Sequence, residues 1–126
     1  MNQYRQLLEQ VRDLKLKEED MPSVTYDEET DLLENPIILT RQHVINLLKR
    51  YKQERLSLDD VFDWIHFIWF SDFFICKQED ADSIASIIQW LEELEEDGDI
   101  IDNEIDYCLD ALESNKQVES WFGDDL

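Results

Sequence analysis

The densest run of oxygen ligands in the chain is Glu93-Leu94-Glu95-Glu96-Asp97-Gly98-Asp99-Ile100-Ile101-Asp102-Asn103-Glu104. Laid on a twelve-residue EF-hand loop, it places Gly98 at the sixth position, Ile100 at the eighth and Glu104 at the twelfth. Those are the positions of the sharp turn, an apolar residue and the bidentate carboxylate. Three features argue against calcium. Glu93 and Glu95 stand where Asp or Asn is usual, and the extra methylene crowds a tight loop. The apolar stripe of the entering helix is one residue out of phase, and no second loop pairs with this one. A helix–turn–helix link with Gly98 near the C-cap accounts for the same letters. No metal site and no cofactor is assigned.

Other chemistry has little to work with. The chain lacks GxSxG, P-loop, HExxH and dinucleotide-binding glycine patterns. His43 and His66 lie 23 positions apart on different predicted helices. His66, inside Trp64-Ile65-His66-Phe67-Ile68-Trp69, reads as a packed core histidine. Paired carboxylates occur throughout, yet acid–base catalysis needs two in unlike environments, which spacing does not reveal. No catalytic residue is assigned, and the chain reads as a non-enzyme. Cys76 and Cys108 belong to no CxxC or Cys/His cluster. Both fall in apolar, helix-patterned stretches, where a free thiol acts as a small hydrophobe.

Charge is the sharpest signal. Among 126 residues, 32 acids against 11 bases give a formal charge of −21. An ordinary nucleic-acid binder neutralises phosphates with Lys and Arg, so that class is excluded, and the same balance argues against docking on anionic lipid. The charge is also unevenly placed. Residues 41–55 hold five bases and one acid, a local +4, whereas residues 79–126 hold 17 acids and only Lys116 as a base. Asp102, Asp106, Asp110 and Glu113 follow one another at spacings of four, four and three, which stacks them on one helical ridge. Each like-charged pair of that kind costs an isolated helix about 0.2–0.5 kcal/mol. Glu93, Glu96, Asp97 and Asp99 crowd the preceding helix end, where acids oppose the macrodipole. Two explanations are open: plain solubility, or a docking surface for a basic partner.

The elements that position these residues are helical. Two glycines and two prolines leave few places for hairpins, and apolar spacings of three and four recur. Five stripes result: Tyr4-Leu7-Leu8-Val11-Leu14; Val44-Leu47-Leu48-Tyr51, with Thr40 as N-cap; Val61-Trp64-Ile65-Ile68-Trp69, opened by Ser57 and Asp60; Ile84-Ile87-Ile88-Leu91-Leu94; and Ile101-Ile105-Cys108-Leu109-Leu112. The expectation is an all-α bundle of about five helices in a single domain spanning residues 1–126. Its centre is the third helix, apolar on nearly every side between Ile65 and Ile75. Residues 19–38, with both prolines and five acids from Asp27 to Glu34, read as a long acidic loop. Residues 114–126 read as a short tail in which Trp121 and Phe122 either cover the bundle end or anchor a partner. The opening residues lack an apolar signal segment, and no run is long enough to span a bilayer, so the expected setting is cytoplasmic and the expected state monomeric.

The phrase Leu39-Thr40 … Leu47-Leu48-Lys49-Arg50-Tyr51 … Leu56-Ser57-Leu58-Asp59-Asp60-Val61-Phe62-Asp63-Trp64 … Leu91-Glu92-Glu93-Leu94 … Ile105 … Leu109-Asp110-Ala111-Leu112 resembles small acidic, all-helical bacterial immunity proteins, over about residues 39–112. These are the cognate inhibitors of polymorphic or contact-dependent growth-inhibition toxins. The resemblance implies a stoichiometric antidote that binds a toxin domain and blocks its active site. Many such toxins are nucleases with basic clefts. The expected partner is therefore a basic toxin domain, met by Glu93, Glu96, Asp97, Asp99, Asp102, Asp106, Asp110 and Glu113 as phosphate surrogates. The alternative is a DNA mimic or phage-type anti-defence protein that occupies a nucleic-acid-binding protein with the same acids.

Overall fold

Asn2 opens the first helix: its side-chain oxygen accepts from the Arg5 backbone N–H at 2.9 Å, satisfying one of the donors a helix start leaves unpaired. In the computed structural model, which describes residues 2–97 and 102–114 (side chains of 94–97 and 102–103 excepted), six α-helices and a two-stranded parallel sheet follow. They are α1 (Gln3–Arg12), α2 (Tyr26–Glu34), β1 (Ile37–Leu39), α3 (Arg41–Lys52), α4 (Leu58–Trp69), β2 (Phe74–Cys76), α5 (Ala81–Asp97) and α6 (Asp102–Glu113). The protein is predominantly all-α. The chain divides into two compact units: residues to Leu39 with Leu56–Ile75, and Thr40–Arg55 with residues from Cys76 onward.

In the first unit, Leu8, Leu32 and Ile37 form a fully buried nucleus, with Tyr4, Met21, Phe67, Phe73 and Phe74 packed around it. Tyr4 meets Phe73 edge to face, ring centroids 6.2 Å apart. Trp64 of α4 is buried and its indole N–H donates to the Val11 carbonyl at 3.0 Å, closing an end of α1 that has no intrahelical partner. α4 itself starts at the capping box read from sequence: Asp60 N–H donates to Ser57 Oγ at 3.1 Å, and Ser57 N–H to Asp60 Oδ2 at 3.0 Å.

Three expectations need correction here. The acidic loop of residues 19–38 contains α2, which starts at a second capping box, Thr25 with Glu28. Only Leu32 of that helix is fully buried, so its apolar stripe is too thin to see by periodicity. The all-apolar third helix is in fact two elements. α4 stops at Trp69, and Phe74–Cys76 pairs with β1, starting from the Ile37 N–H to Phe73 carbonyl bond of 2.8 Å. Cys76 is therefore a strand residue. Lastly, His66 is exposed. It lies on the ridge Asp59, Asp63, His66, Phe70, and its ring sits between Phe62 and Phe70, with centroids 6.3 and 6.1 Å away.

In the second unit, α3 packs on α6 and α5, and α5 on α6. Val44, Leu47 and Leu48 of α3, Ile84, Ile87, Ile88 and Leu91 of α5, and Ile105, Cys108 and Leu112 of α6 are buried in it. All are stripe positions read from the sequence.

Candidate functional site

α6 presents the ridge. Asp106, Asp110 and Glu113 are exposed along it, while Ile105, Cys108, Ala111 and Leu112 are buried on the other side. The helical period thus separates carboxylates from core as the spacing demands. Glu93 on α5 is only half-buried rather than open to water. Glu96 and Asp97 occupy the last turn of α5, and Asp102 is the first residue of α6, where its charge suits the helix dipole. Asp99, the side chains of Glu96, Asp97 and Asp102, Gly98 and the middle of the calcium-loop alignment lie outside the described residues, as do Trp121 and Phe122.

The ridge is not purely acidic surroundings. Lys52, at the end of α3, places Nζ 3.0 Å from Asp106 Oδ1, and the Asp106 side chain stays 58% exposed. An ion pair so wet contributes little stability, yet it links the local +4 segment to the acids. Lys49, Arg50 and Lys52 all fall in the last turn of α3, where cations complement the helix dipole. Part of the charge asymmetry therefore answers needs inside the unit.

Two features escaped the sequence reading. Tyr107 is 44% exposed beside the ridge, and its ring leans on buried Trp90, centroids 5.6 Å apart at 62°. The other is a polar junction around Arg41, the first residue of α3. Its backbone N–H donates to Asp80 Oδ2 at 3.0 Å, its Nε to Asp80 Oδ1 at 2.9 Å, and its Nη1 to the Leu112 carbonyl at 2.7 Å. One carboxylate thus caps the start of α3, and one guanidinium caps the end of α6. Burial works to raise the Asp80 pKa, but the Arg41 N–H, the guanidinium and Lys77 outweigh it and hold the carboxyl below its usual value. Asp80 and Arg41 line a pocket of about 470 Å³ together with Lys77 and Glu113, the last acid of the ridge. Local sequence could not reveal this pairing, since Arg41 and Asp80 are 39 residues apart.

Cys108 lies fully buried under the ridge; burial, with Glu104 nearby, pushes its thiol up to about 12. The folded protein then keeps a proton that the unfolded chain releases above about pH 8.5. Stability falls as pH climbs from there toward the raised value. A thiol reagent at pH 8 is expected to leave Cys108 unmodified in the native protein and to label it promptly in denaturant. Native labelling at Cys108 as fast as in the unfolded chain, read by peptide mass spectrometry, contradicts the buried assignment.

Among the described residues, no group of three or more His, Cys, Asp or Glu is placed to hold a metal ion, and no helix is long and apolar enough to cross a membrane. No protein-family model, curated protein or solved structure matches the chain.

Proposed function

We propose that the protein is a binding module, an immunity-type inhibitor that acts in the cytoplasm and neutralises a basic toxin domain through the α6 ridge. The observation that carries this reading is the exposed run Asp106, Asp110, Glu113 on a helix whose other side is fully buried. Keeping like charges at spacings of four and three costs helix stability, and a cationic partner removes that cost. The field of such a ridge steers a basic protein toward it and raises the association rate. Tyr107 supplies what carboxylates lack: a half-exposed aromatic, braced by Trp90, of the type that anchors interfaces. A nuclease cleft is built to hold phosphates, so carboxylates at helical spacing are reasonable occupants of it.

The test is a binding measurement with a basic nuclease toxin domain. Asp110→Lys with Glu113→Lys leaves the Lys52–Asp106 pair intact. That double variant is expected to slow association on the order of tenfold or more at low salt, with a flatter salt dependence and unchanged helicity. Unaltered association in the double variant removes the ridge from the interface. Comparable binding to several unrelated DNA-binding proteins would favour the DNA-mimic alternative instead.

A further inference from the structure

The first unit contains a second place where chemistry and shape converge. Where α1 ends, the chain turns through Leu14 at φ 65°, with its N–H on the Val11 carbonyl at 3.1 Å and the Lys15 N–H on the Gln10 carbonyl at 2.7 Å. That left-handed position is ordinarily filled by glycine, and a leucine there costs about 1–2 kcal/mol. Leu14 forms one wall of a half-open pocket of about 360 Å³, which Leu16, Leu56 and Trp64 continue. The size lies in the ordinary range for small-ligand sites.

The rim is negative. Glu18, Asp20 and Asp60 line the pocket together with Lys15 and Lys17, and Glu19, Asp59 and Asp63 stand on the same two segments, 15–20 and 57–63. Lys17 only approaches Asp60, Nζ to Oδ1 4.0 Å, with its side chain 63% exposed, so it is readily displaced. The Ser57 backbone N–H holds the Asp60 carboxyl below its usual range, which keeps it charged. Glu18 is shifted the other way, by burial first and then by Asp63, Asp60 and Glu19. An added cation would relieve that crowding.

We propose that this pocket binds a small organic cation with an apolar body, an aryl- or alkylamine whose hydrocarbon part lies against Leu14, Leu16, Leu56 and Trp64 while its ammonium meets the carboxylates of Glu18 and Asp60. An anion of the same shape meets the carboxylates of Glu18, Asp20 and Asp60, three acids against Lys15 and Lys17 in the lining; a neutral isostere gains only the apolar contact. The site involves neither α5 nor α6, so its failure leaves the ridge reading untouched.

The experiment is an NMR titration of the full chain with phenethylamine, 2-phenylethanol and 3-phenylpropanoate. The amine is expected to give saturable, salt-sensitive shifts at the Leu14, Leu16 and Leu56 methyls and the Trp64 indole N–H. The alcohol should bind at least tenfold more weakly, and the carboxylate not at all. Leu16→Trp, which fills the pocket, should abolish the shifts at an unchanged melting temperature. Glu18→Gln, at an already half-exposed side chain, should weaken amine binding at least threefold, and serves alone if Leu16→Trp does not fold. Equal shifts from amine and carboxylate, or amine binding indifferent to Glu18→Gln, overturn the proposal.

Discussion

Replacing Trp64 with alanine is expected to lower stability by about 3–5 kcal/mol, the range for deleting a large buried aromatic. Trp64 is 2% exposed, and it joins α4 to α1 by packing and by its indole bond to the Val11 carbonyl. Losing the ring leaves a cavity beside the pocket already bounded by Leu14, Leu16 and Leu56. Trp64→Phe separates the two contributions. It retains most of the apolar contact and loses the hydrogen bond, for a cost nearer 1–2 kcal/mol. The Val11 carbonyl still accepts from Leu14 N–H, so it is not wholly orphaned. Urea unfolding followed by circular dichroism measures both. A Trp64→Ala cost under about 1 kcal/mol contradicts the place given to this side chain.

The residues that could be read from sequence were those whose partners are local or whose pattern is long. α1, α3, α4, α5 and α6 each carry four or more apolar residues at helical spacing, and the core is built from those stripes. α2 has one buried residue, Leu32, among four acids after Asp27, so its only strong signal was Thr25 with Glu28 three positions on. β1 and β2 are three residues each, and an apolar run that short has no period to distinguish strand from helix. That ambiguity extended α4 too far and buried His66 on paper. The spacing Asp59, Asp63, His66, Phe70 marks its exposed ridge, and the two aspartates were available as a warning. On the candidate site, the carboxylates of α6 were legible because one helix presents them. Lys52 against Asp106, Tyr107 against Trp90 and Arg41 against Asp80 were not, since each depends on which helices meet.

Asp80→Ala is expected to destabilise the protein by about 3 kcal/mol, because it breaks a buried charged pair and orphans a backbone donor at once. Asp80 is 5% exposed and gives one carboxylate oxygen to the Arg41 backbone and the other to its guanidinium. Arg41 keeps the Leu112 carbonyl and some solvent contact, which holds the loss below the upper end for such pairs. Asp80→Asn retains an oxygen for the backbone N–H but no charge, so its cost should fall between wild type and alanine. The dependence on pH identifies the mechanism. A carboxyl held below its ordinary value of about 3.9 is charged in the native state when the unfolded chain already takes up a proton. Its contribution is complete above about pH 4 and disappears as pH drops through the lowered native value. In a chain of charge −21, acidification also relieves general repulsion, which acts in the opposite direction. Wild type and Asp80→Asn share that repulsion almost equally, so the difference between their unfolding free energies isolates the Arg41 junction. That difference should be constant from pH 7 to about pH 5 and shrink below pH 4. A gap that persists unchanged into strong acid would show that the aspartate acts through shape alone.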